Sequence, residues 1–327
     1  MKYMLCDIPL SSEQKFGRFK RVGGKFPPMN LLYLGTQLAR HGHQVRITTD
    51  DYALADVERE LRDFAPDVVG VTFMTMGSPM LPAFAAMAQA AAPRAVLIAG
   101  GYHASLHPEE TLDAHPGISA VFVGEAELSI LAFAEMMEQG GPGGGALAQI
   151  PGICHRDADG QPARTPPPPP IEDLDSLPFP DFDLIDGYFD KFRGGVNRHF
   201  LGTPQAFFLT GRGCPYNCHF CGRKILGSTV RSLSVEYKLE LVRWCSEKYG
   251  IRSIIYGDEF FTYNAPAAHR FCDELRRRGL DRISWVCSGR VNNLDLDLAR
   301  ALRGAGCLQI GFGCESGSQK ILDMINK

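Results

Sequence analysis

The sequence lacks several features that would each define a class of protein. No apolar run reaches the length of a bilayer-spanning helix, and the N-terminal stretch MKYMLCDIPL has no signal-peptide pattern and is predicted as a first strand. The 34 Lys and Arg residues nearly balance the 37 Asp and Glu residues, so no basic surface for nucleic acid is indicated. The 10 cysteines favour a reducing compartment over a disulfide framework. These absences favour a cytoplasmic globular protein that spans no membrane and binds no nucleic acid.

Three of the cysteines nevertheless lie close together in the sequence. In the stretch GRGCPYNCHFCG (211–222), Cys214, Cys218 and Cys221 have the spacing C-x3-C-x2-C. Clustered thiolates are metal ligands, and because a [4Fe–4S] cluster takes one ligand per iron, three cysteines leave one iron open for catalysis. The surrounding glycines allow a tight loop, and Phe220 is expected to shield the cluster from water.

A structural zinc site is the main alternative for this loop. Its fourth ligand would be His219 or a distant residue. Zinc motifs usually contain two ligand pairs, however, and the sequence has no second pair. The pattern therefore favours an iron–sulfur cluster over zinc, and both over a chance grouping of cysteines.

Residues 1–138 alternate short apolar runs with helical patterns. Strands are predicted at 3–8, 44–48, 68–73, 95–99 and 120–123, and helices at 29–41, 54–64, 79–92, 108–114 and 127–139. This alternation predicts an α/β domain with a doubly wound, Rossmann-like parallel sheet.

Ligands of such domains bind beyond the carboxyl ends of the strands, and three turns there are candidate binding loops. They read TFMTMGSP (72–79), AGGYHAS (99–105) and VGEAE (123–127). Gly100 and Gly101 are expected to leave room for a large flat ligand, although glycines are common in such turns of any doubly wound fold.

Residues 139–204 are rich in Gly and Pro and are predicted to link two domains. Within them, residues 152–164 are predicted as a small hairpin, five prolines (166–170) as a polyproline II spacer, and residues 188–199 as a connection. Residues 205–327 alternate again, with strands at 205–210, 253–256, 283–288 and 307–313 and helices at 235–249, 265–278, 296–304 and 318–326. This part predicts the N-terminal portion of a β/α barrel, whose active site lies at the carboxyl ends of its strands.

Polar residues follow each of the last three predicted strands. Asp258 and Glu259 follow the second strand, Arg290 follows the third, and Glu315 and Ser316 follow the fourth. Carboxylates and hydroxyls suit ribose and amino groups, and a guanidinium suits a carboxylate because it forms paired hydrogen bonds. A simple surface position is the alternative for each residue, and it stays open above all for Arg290.

Together these motifs resemble radical S-adenosylmethionine (SAM) proteins that carry an N-terminal cobalamin (B12)-binding domain. The resemblance covers nearly the whole chain, including the cysteine motif, an LDSLPFPD passage (174–181) between the domains and a GCESGS turn (313–318) after the fourth strand. It implies that Cys214, Cys218 and Cys221 hold a [4Fe–4S] cluster and that SAM chelates the fourth iron. Reductive cleavage of SAM would then give a 5′-deoxyadenosyl radical.

The resemblance also implies binding residues for SAM and cobalamin. SAM would be bound by Phe220, Gly257, Asp258, Glu259, Arg290, Glu315 and Ser316. Cobalamin would contact Thr72, Met74, Thr75, Gly77, Ser78, Gly100, Gly101, Tyr102, His103, Gly124 and Glu125. The motif D-x-H-x-x-G, whose His ligates cobalt in some cobalamin domains, is absent, and His103 is interpreted as a polar loop residue. The alternative is a first domain that has lost cobalamin and serves as a platform.

By the same resemblance, the protein is expected to be an enzyme that methylates an unactivated carbon of a small molecule, with an external one-electron reductant of the flavodoxin or ferredoxin type. Radical oxidation, cyclisation or rearrangement without methyl transfer, as in tetrapyrrole cyclases, is the alternative among enzymes. A non-catalytic cobalamin- or metal-binding protein is the alternative outside them. Radical SAM cores usually have six β/α units and four strands are predicted here, so the chain is expected to be part of a longer protein.

Overall fold

The computed structural model describes residues 1–20, 25–143, 145–192 and 201–327. The chain divides into two compact units. The first unit contains the N-terminal residues, Asn30–Pro170 and Pro178–Asp186, and the second contains Ile171–Leu177 and Gly187–Lys327. No helix within these described ranges is both long and apolar enough to cross a membrane.

The first unit is built on a sheet of seven strands in the order β2-β1-β3-β4-β5-β6-β7. The first five strands in the chain run parallel to one another: β1 (Lys2–Asp7), β2 (Gln44–Thr48), β3 (Val68–Thr72), β4 (Val96–Gly100) and β5 (Ile118–Phe122). The central strand β3 is buried along its whole length, as expected for a parallel sheet with helices on both faces. The predicted doubly wound fold is thereby confirmed.

Helices connect these parallel strands. They are α1 (Ser12–Phe16), α2 (Met29–Arg40), α3 (Leu54–Phe64), α4 (Leu81–Ala91), α5 (Tyr102–Leu106), α6 (Pro108–Asp113) and α7 (Glu127–Glu138). The short helices α1 and α5 were not predicted. A capping box between Ser11 and Gln14 starts α1, because each side chain accepts a hydrogen bond from the other residue's backbone N–H. A 3-10 turn, Thr75–Met80, precedes α4.

The predicted hairpin in residues 152–164 is present, and it joins the first sheet. Strand β6 (Ile153–Arg156) pairs antiparallel with β5, and β7 (Pro162–Arg164) pairs antiparallel with β6. The carboxylate of Asp157 closes the turn by accepting the N–H groups of Asp159 and Gln161, which is typical of an Asx turn. Part of the stretch predicted as a linker therefore belongs to the sheet of the first unit.

The second unit contains a sheet of four parallel strands in the order β8-β11-β12-β13 and a two-stranded antiparallel ribbon of β9 and β10. The strands are β8 (Gln205–Phe208), β9 (Gly211–Arg212), β10 (Arg231–Ser232), β11 (Ser253–Tyr256), β12 (Ser284–Gly289) and β13 (Cys307–Phe312). The helices are α8 (Tyr188–Lys191), α9 (Val235–Tyr249), α10 (Ala265–Arg277), α11 (Leu296–Gly304) and α12 (Gln319–Met324). The predicted partial β/α barrel is confirmed. The connection predicted at residues 188–199 begins with α8, and its remainder from 193 lies outside the described residues.

Aromatic side chains form the core of the second unit. Trp285 is buried and lies within 5.5 Å of the ring of Tyr256 and 5.9 Å of the ring of Phe271, measured between ring centroids. Its indole N–H donates to the carbonyl of Ala305 at 2.8 Å. This packing fixes β11 and β12 against α10. Because the four strands are parallel, their carboxyl ends lie at one edge of the sheet.

Candidate functional site

The three motif cysteines lie on a loop that leaves the carboxyl end of β8. The ribbon of β9 and β10 closes the base of this loop, since Gly211 pairs with Ser232 and Arg212 with Arg231. At Gly213 the backbone has φ +83°, and a Cβ there would clash with the carbonyl oxygen of Thr229. Glycine is therefore required at the start of the loop.

All three motif cysteines are free thiols. Cys214 and Cys218 are half-buried and Cys221 is exposed, so the loop can be reached from solvent. Among the described residues, no three His, Cys, Asp or Glu side chains are gathered closely enough to hold one metal ion. Unpaired thiols on one solvent-accessible loop are the donor set that an iron–sulfur cluster needs, so the residues present fit the cluster, and their role as ligands stays a prediction.

Arg290, at the end of β12, reaches the middle cysteine of the motif. Its Nη1 lies 3.7 Å from Sγ of Cys218. The guanidinium stacks on the ring of Tyr216, with 3.7 Å between Cζ and the ring centroid. The hydroxyl of Tyr216 in turn donates to the side chain of Asn293 at 3.2 Å. The positive charge of Arg290 therefore lies beside the thiol of Cys218.

The carboxylate of Asp258 is buried and accepts the backbone N–H and the hydroxyl of Thr210, each at 2.5 Å. Burial raises the pKa of this carboxyl, and the ammonium of Lys238 opposes that effect. Both oxygens accept hydrogen bonds from Thr210, the residue that precedes the cysteine loop, so Asp258 supports the start of the loop. Its assignment as a SAM-binding residue stays a prediction.

Gly257 and Glu259, the residues on either side of Asp258, are both less buried than Asp258. Gly257 has no room for a side chain, since a Cβ there would clash with the ring of Phe207. Its N–H donates to the carbonyl of Phe208 at 2.8 Å, which continues the pairing of β11 with β8. Glu259 is exposed at the carboxyl end of the sheet. Of this acidic pair, Glu259 therefore has the exposure that a binding residue needs.

Glu315 and Phe220 both lie next to the C-terminal lysine of the chain. The Nζ of Lys327 forms a salt bridge with Glu315 at 3.0 Å and lies 5.9 Å from the ring centroid of Phe220. Glu315 adopts φ +53°, a left-handed conformation that is uncommon for a residue with a side chain. Ser316 follows it and is half-buried. Phe220 is 56% exposed, and its shielding of a bound cluster stays a prediction.

The predicted cobalamin residues of the first unit fall into two groups. Thr72 and Gly77 are buried: the hydroxyl of Thr72 accepts a hydrogen bond from Asn30 at 2.8 Å, and a Cβ on Gly77 would lie 2.6 Å from Ile8. The second group, at the carboxyl edge of the sheet, is at least partly exposed and comprises Met74, Thr75, Ser78, Gly100, Gly101, Tyr102, His103, Gly124 and Glu125. Contact with cobalamin stays a prediction for both groups, and the second group has the exposure that direct contact needs.

This edge of the first sheet carries several exposed apolar side chains. Met74, Met76 and Tyr102 are 57%, 55% and 40% exposed, and Leu106 and Leu128 are 46% and 43% exposed. Sequence reasoning missed Met76, Leu106 and Leu128, although apolar residues within a few positions of a strand end were a usable signal. An apolar surface at the carboxyl edge fits the face of a large ring system such as a corrin.

His103 is held at the same edge by its neighbours. Its Nδ1 lies 3.2 Å from the hydroxyl of Thr75, and its ring centroid lies 4.9 Å from that of His107. Burial, and then the proximity of His107, lower the pKa of His103. His103 lies within α5 rather than in a loop, and its contact with cobalamin stays a prediction.

Fold and site together define a two-domain α/β protein with a doubly wound first domain and a thiol-bearing partial barrel. The same architecture occurs in the solved structure of the cobalamin-dependent SAM radical enzyme OxsB with aqua-cobalamin and SAM bound. The TM-score is 0.79 at 19% identity, over 99% of this chain and 45% of that one. This likeness establishes the fold.

Family comparisons agree with the fold. Residues 18–134 match the B12 binding domain, and residues 208–327 match the radical SAM superfamily. An uncharacterized methyltransferase of Pyrococcus horikoshii is 33% identical over all of this chain, which covers 68% of that relative. The anaerobic magnesium-protoporphyrin IX monomethyl ester cyclase of Cereibacter sphaeroides is 27% identical over 94% of this chain, which covers 50% of that relative.

The chain belongs to the radical SAM superfamily, in the group whose members carry a B12 binding domain. It is thus a member of an enzyme family whose cofactors are a [4Fe–4S] cluster, SAM and cobalamin. The recognition of this family from the cysteine motif and the strand-end turns is confirmed.

Proposed function

We propose that the protein to which this chain belongs is a cobalamin-dependent radical SAM methyltransferase that acts on an unactivated carbon of a small molecule. The observation that carries the proposal is the loop of three free thiols at the carboxyl end of β8, in one chain with a B12 binding domain. The 33% identity to a protein named as a methyltransferase supports methyl transfer over other radical reactions. When bound, the three cofactors supply reductive cleavage of SAM and transfer of a methyl group.

The residues of this chain would bind and orient these cofactors. Cys214, Cys218 and Cys221 would ligate the cluster. Arg290 lies 3.7 Å from Cys218, where its charge would also attract the carboxylate of SAM. Glu259, exposed after β11, would accept hydrogen bonds from SAM. The apolar edge of the first unit would cover one face of cobalamin, which keeps water from the reacting centre.

Partners and compartment follow from the same proposal. Three cysteines without disulfides suit a cytoplasm, where an external one-electron reductant of the flavodoxin or ferredoxin type would supply electrons. Near-equal numbers of acidic and basic residues support a small-molecule substrate rather than nucleic acid.

A second candidate function is radical oxidation or cyclisation without methyl transfer. The 27% identity to the cyclase of Cereibacter sphaeroides favours it. The two functions differ in where the methyl group of SAM ends. Methyl transfer delivers that methyl group to the product, whereas cyclisation leaves it on methionine.

The test is anaerobic reconstitution with iron, sulfide and hydroxocobalamin, followed by incubation with SAM that carries a deuterated methyl group. Candidate small molecules and a chemical reductant complete the mixture. We expect retention of iron and corrin after desalting, and a mass increase of one labelled methyl in the product. Formation of 5′-deoxyadenosine with an unlabelled, oxidised product would support cyclisation instead. Retention of zinc in place of iron would overturn both functions.

A further inference from the structure

The end of α12 contacts the cysteine loop on both sides of Cys218. The N–H of His219 donates to the carbonyl of Ile325 at 2.9 Å, and Nδ1 of the same residue lies 3.0 Å from the carbonyl of Met324. The side-chain amide of Asn326 donates to the carbonyl of Asn217 at 2.8 Å. We call residues 324–327 the clasp, and these three contacts join it to the stretch that separates Cys214 from Cys221.

The two carbonyls that His219 contacts belong to Met324 and Ile325, at the end of α12. Helix α12 ends at Met324, and the last carbonyls of a helix have no partner within it. A carbonyl oxygen only accepts, so Nδ1 of His219 must carry the proton in this contact. The backbone carbonyls of the clasp thus accept hydrogen bonds from His219 of the cysteine loop. The same contacts hold the loop against the end of α12.

The position of these contacts in the motif matters. Asn217 and His219 are the residues immediately before and after Cys218, so their contacts restrain the backbone that carries its thiol. Phe220 precedes Cys221 and lies under Lys327, which is also paired with Glu315. The clasp therefore contacts three of the six residues between the outer two cysteines.

We propose that His219 and Asn326 are positioning residues that hold Cys218 in place for insertion and retention of the cluster. The proposal rests on the assignment of Cys214, Cys218 and Cys221 as cluster ligands, and it adds His219 and Asn326 to the cluster site. Their effect acts through the backbone, because a restrained ligand loses less conformational freedom when it binds.

The first measurement uses the whole chain without its cluster. In Asn326→Ala, we expect amide hydrogen exchange in residues 217–220 to accelerate about fivefold, as loss of one hydrogen bond would produce, and alkylation of Cys218 to accelerate with it. Gln319→Ala is the matched control, because Gln319 lies on the same helix and its side-chain amide donates to Asp323 of that helix. Equal exchange in wild type and Asn326→Ala would overturn the proposal. So would acceleration spread over the whole second unit, which would indicate general destabilisation.

The second measurement follows the reconstituted cluster. We expect a chelator to remove iron several-fold faster from Asn326→Ala and from His219→Leu than from wild type. His219→Asn keeps an amide donor near the position of Nδ1 and should restore much of the wild-type rate. Failure of this rescue, with loss as fast as in His219→Leu, would contradict the role of the Nδ1 donor. If Cys218→Ala retained all its iron, the ligand assignment would fail, whereas the exchange result without the cluster would still decide whether the clasp restrains the loop.

Discussion

At the level of single residues, the three motif cysteines are more exposed than most of the other cysteines. Cys6, Cys154, Cys245, Cys272, Cys287 and Cys307 are buried, and burial raises the pKa of several of them, including that of Cys6 to about 12. Cys314 is the exception outside the motif, because it is exposed in the turn after β13. Cys314 is therefore the cysteine outside the motif to test as a fourth ligand.

Cys218→Ala and Cys314→Ala should consequently differ in metal content. For an open cluster held by three cysteines, we expect Cys218→Ala to lose nearly all bound iron and Cys314→Ala to keep the wild-type amount. Iron and zinc counts after anaerobic reconstitution measure this directly. Loss of metal from both variants would point to four protein ligands, which leaves no open position for SAM.

The sequence predicted which positions follow strand ends, and it could not predict which way their side chains point. Thr72 and Asp258 were both expected to face a ligand, yet each is buried and bonded to a neighbouring element. The direction of a side chain in a turn depends on backbone dihedrals that residue type does not determine. The clasp was missed for a related reason, because its contacts join residues more than 100 positions apart.

Element boundaries were predicted well where the chain carries explicit signals. Helix α9 has the predicted bounds because Ser234 caps its first turn and Gly250, at φ +63°, ends it. Strand β11 and helices α3 and α11 also have the predicted bounds. The five-residue helices α1 and α5 were missed since one turn is too short to show helical periodicity.

The two glycines at the junction of β4 and α5 have different surroundings, so substitution of each should affect stability differently. At Gly101 the backbone has φ +96° and a Cβ would clash with the hydroxyl of Thr72, whereas a Cβ on Gly100 would lie 3.6 Å from Phe122, an ordinary contact. We expect Gly101→Ala to lower the free energy of unfolding by about 2 kcal/mol and Gly100→Ala by less than about 0.5 kcal/mol.

Urea unfolding of both variants measures this difference. Equal stability of the two would contradict the structural reason given for Gly101. The glycine pair was expected to leave room for a flat ligand. At Gly101, however, the positive φ and the contact with Thr72 require glycine whether or not a ligand binds. Corrin binding by Gly100→Ala then tests the ligand reason separately, since that variant is expected to fold normally.

The stability of the whole molecule should depend on pH through the half-buried carboxyl of Asp7. Asp7 ends β1, and burial raises its pKa to about 7, although Lys15 and the N–H of Ile8 act in the opposite direction. The folded state then holds this proton more tightly than the unfolded chain, whose Asp has a pKa of about 3.9. The contribution of Asp7 to stability is therefore fully present below about pH 4 and is lost as the pH rises through about 7.

Asp7→Asn should remove this dependence. We expect the variant to be more stable than wild type at pH 8, by on the order of 2 kcal/mol, and to show a flatter profile of unfolding free energy between pH 5 and pH 8. Asp63→Asn, at an exposed position of α3, is the control and should leave the profile unchanged. A wild-type profile in Asp7→Asn would show that Asp7 is ionised in the folded state across this range.

The hairpin of β6 and β7 determines where a separately expressed first domain can end. A first domain ended at residue 138 would omit both strands and leave β5, four of whose five residues are buried, with an unpaired edge. Unprotected apolar edges recruit strands from other molecules, so such a fragment would be prone to aggregate. Separate production of the B12 domain therefore has to extend beyond Arg164, where the sheet ends.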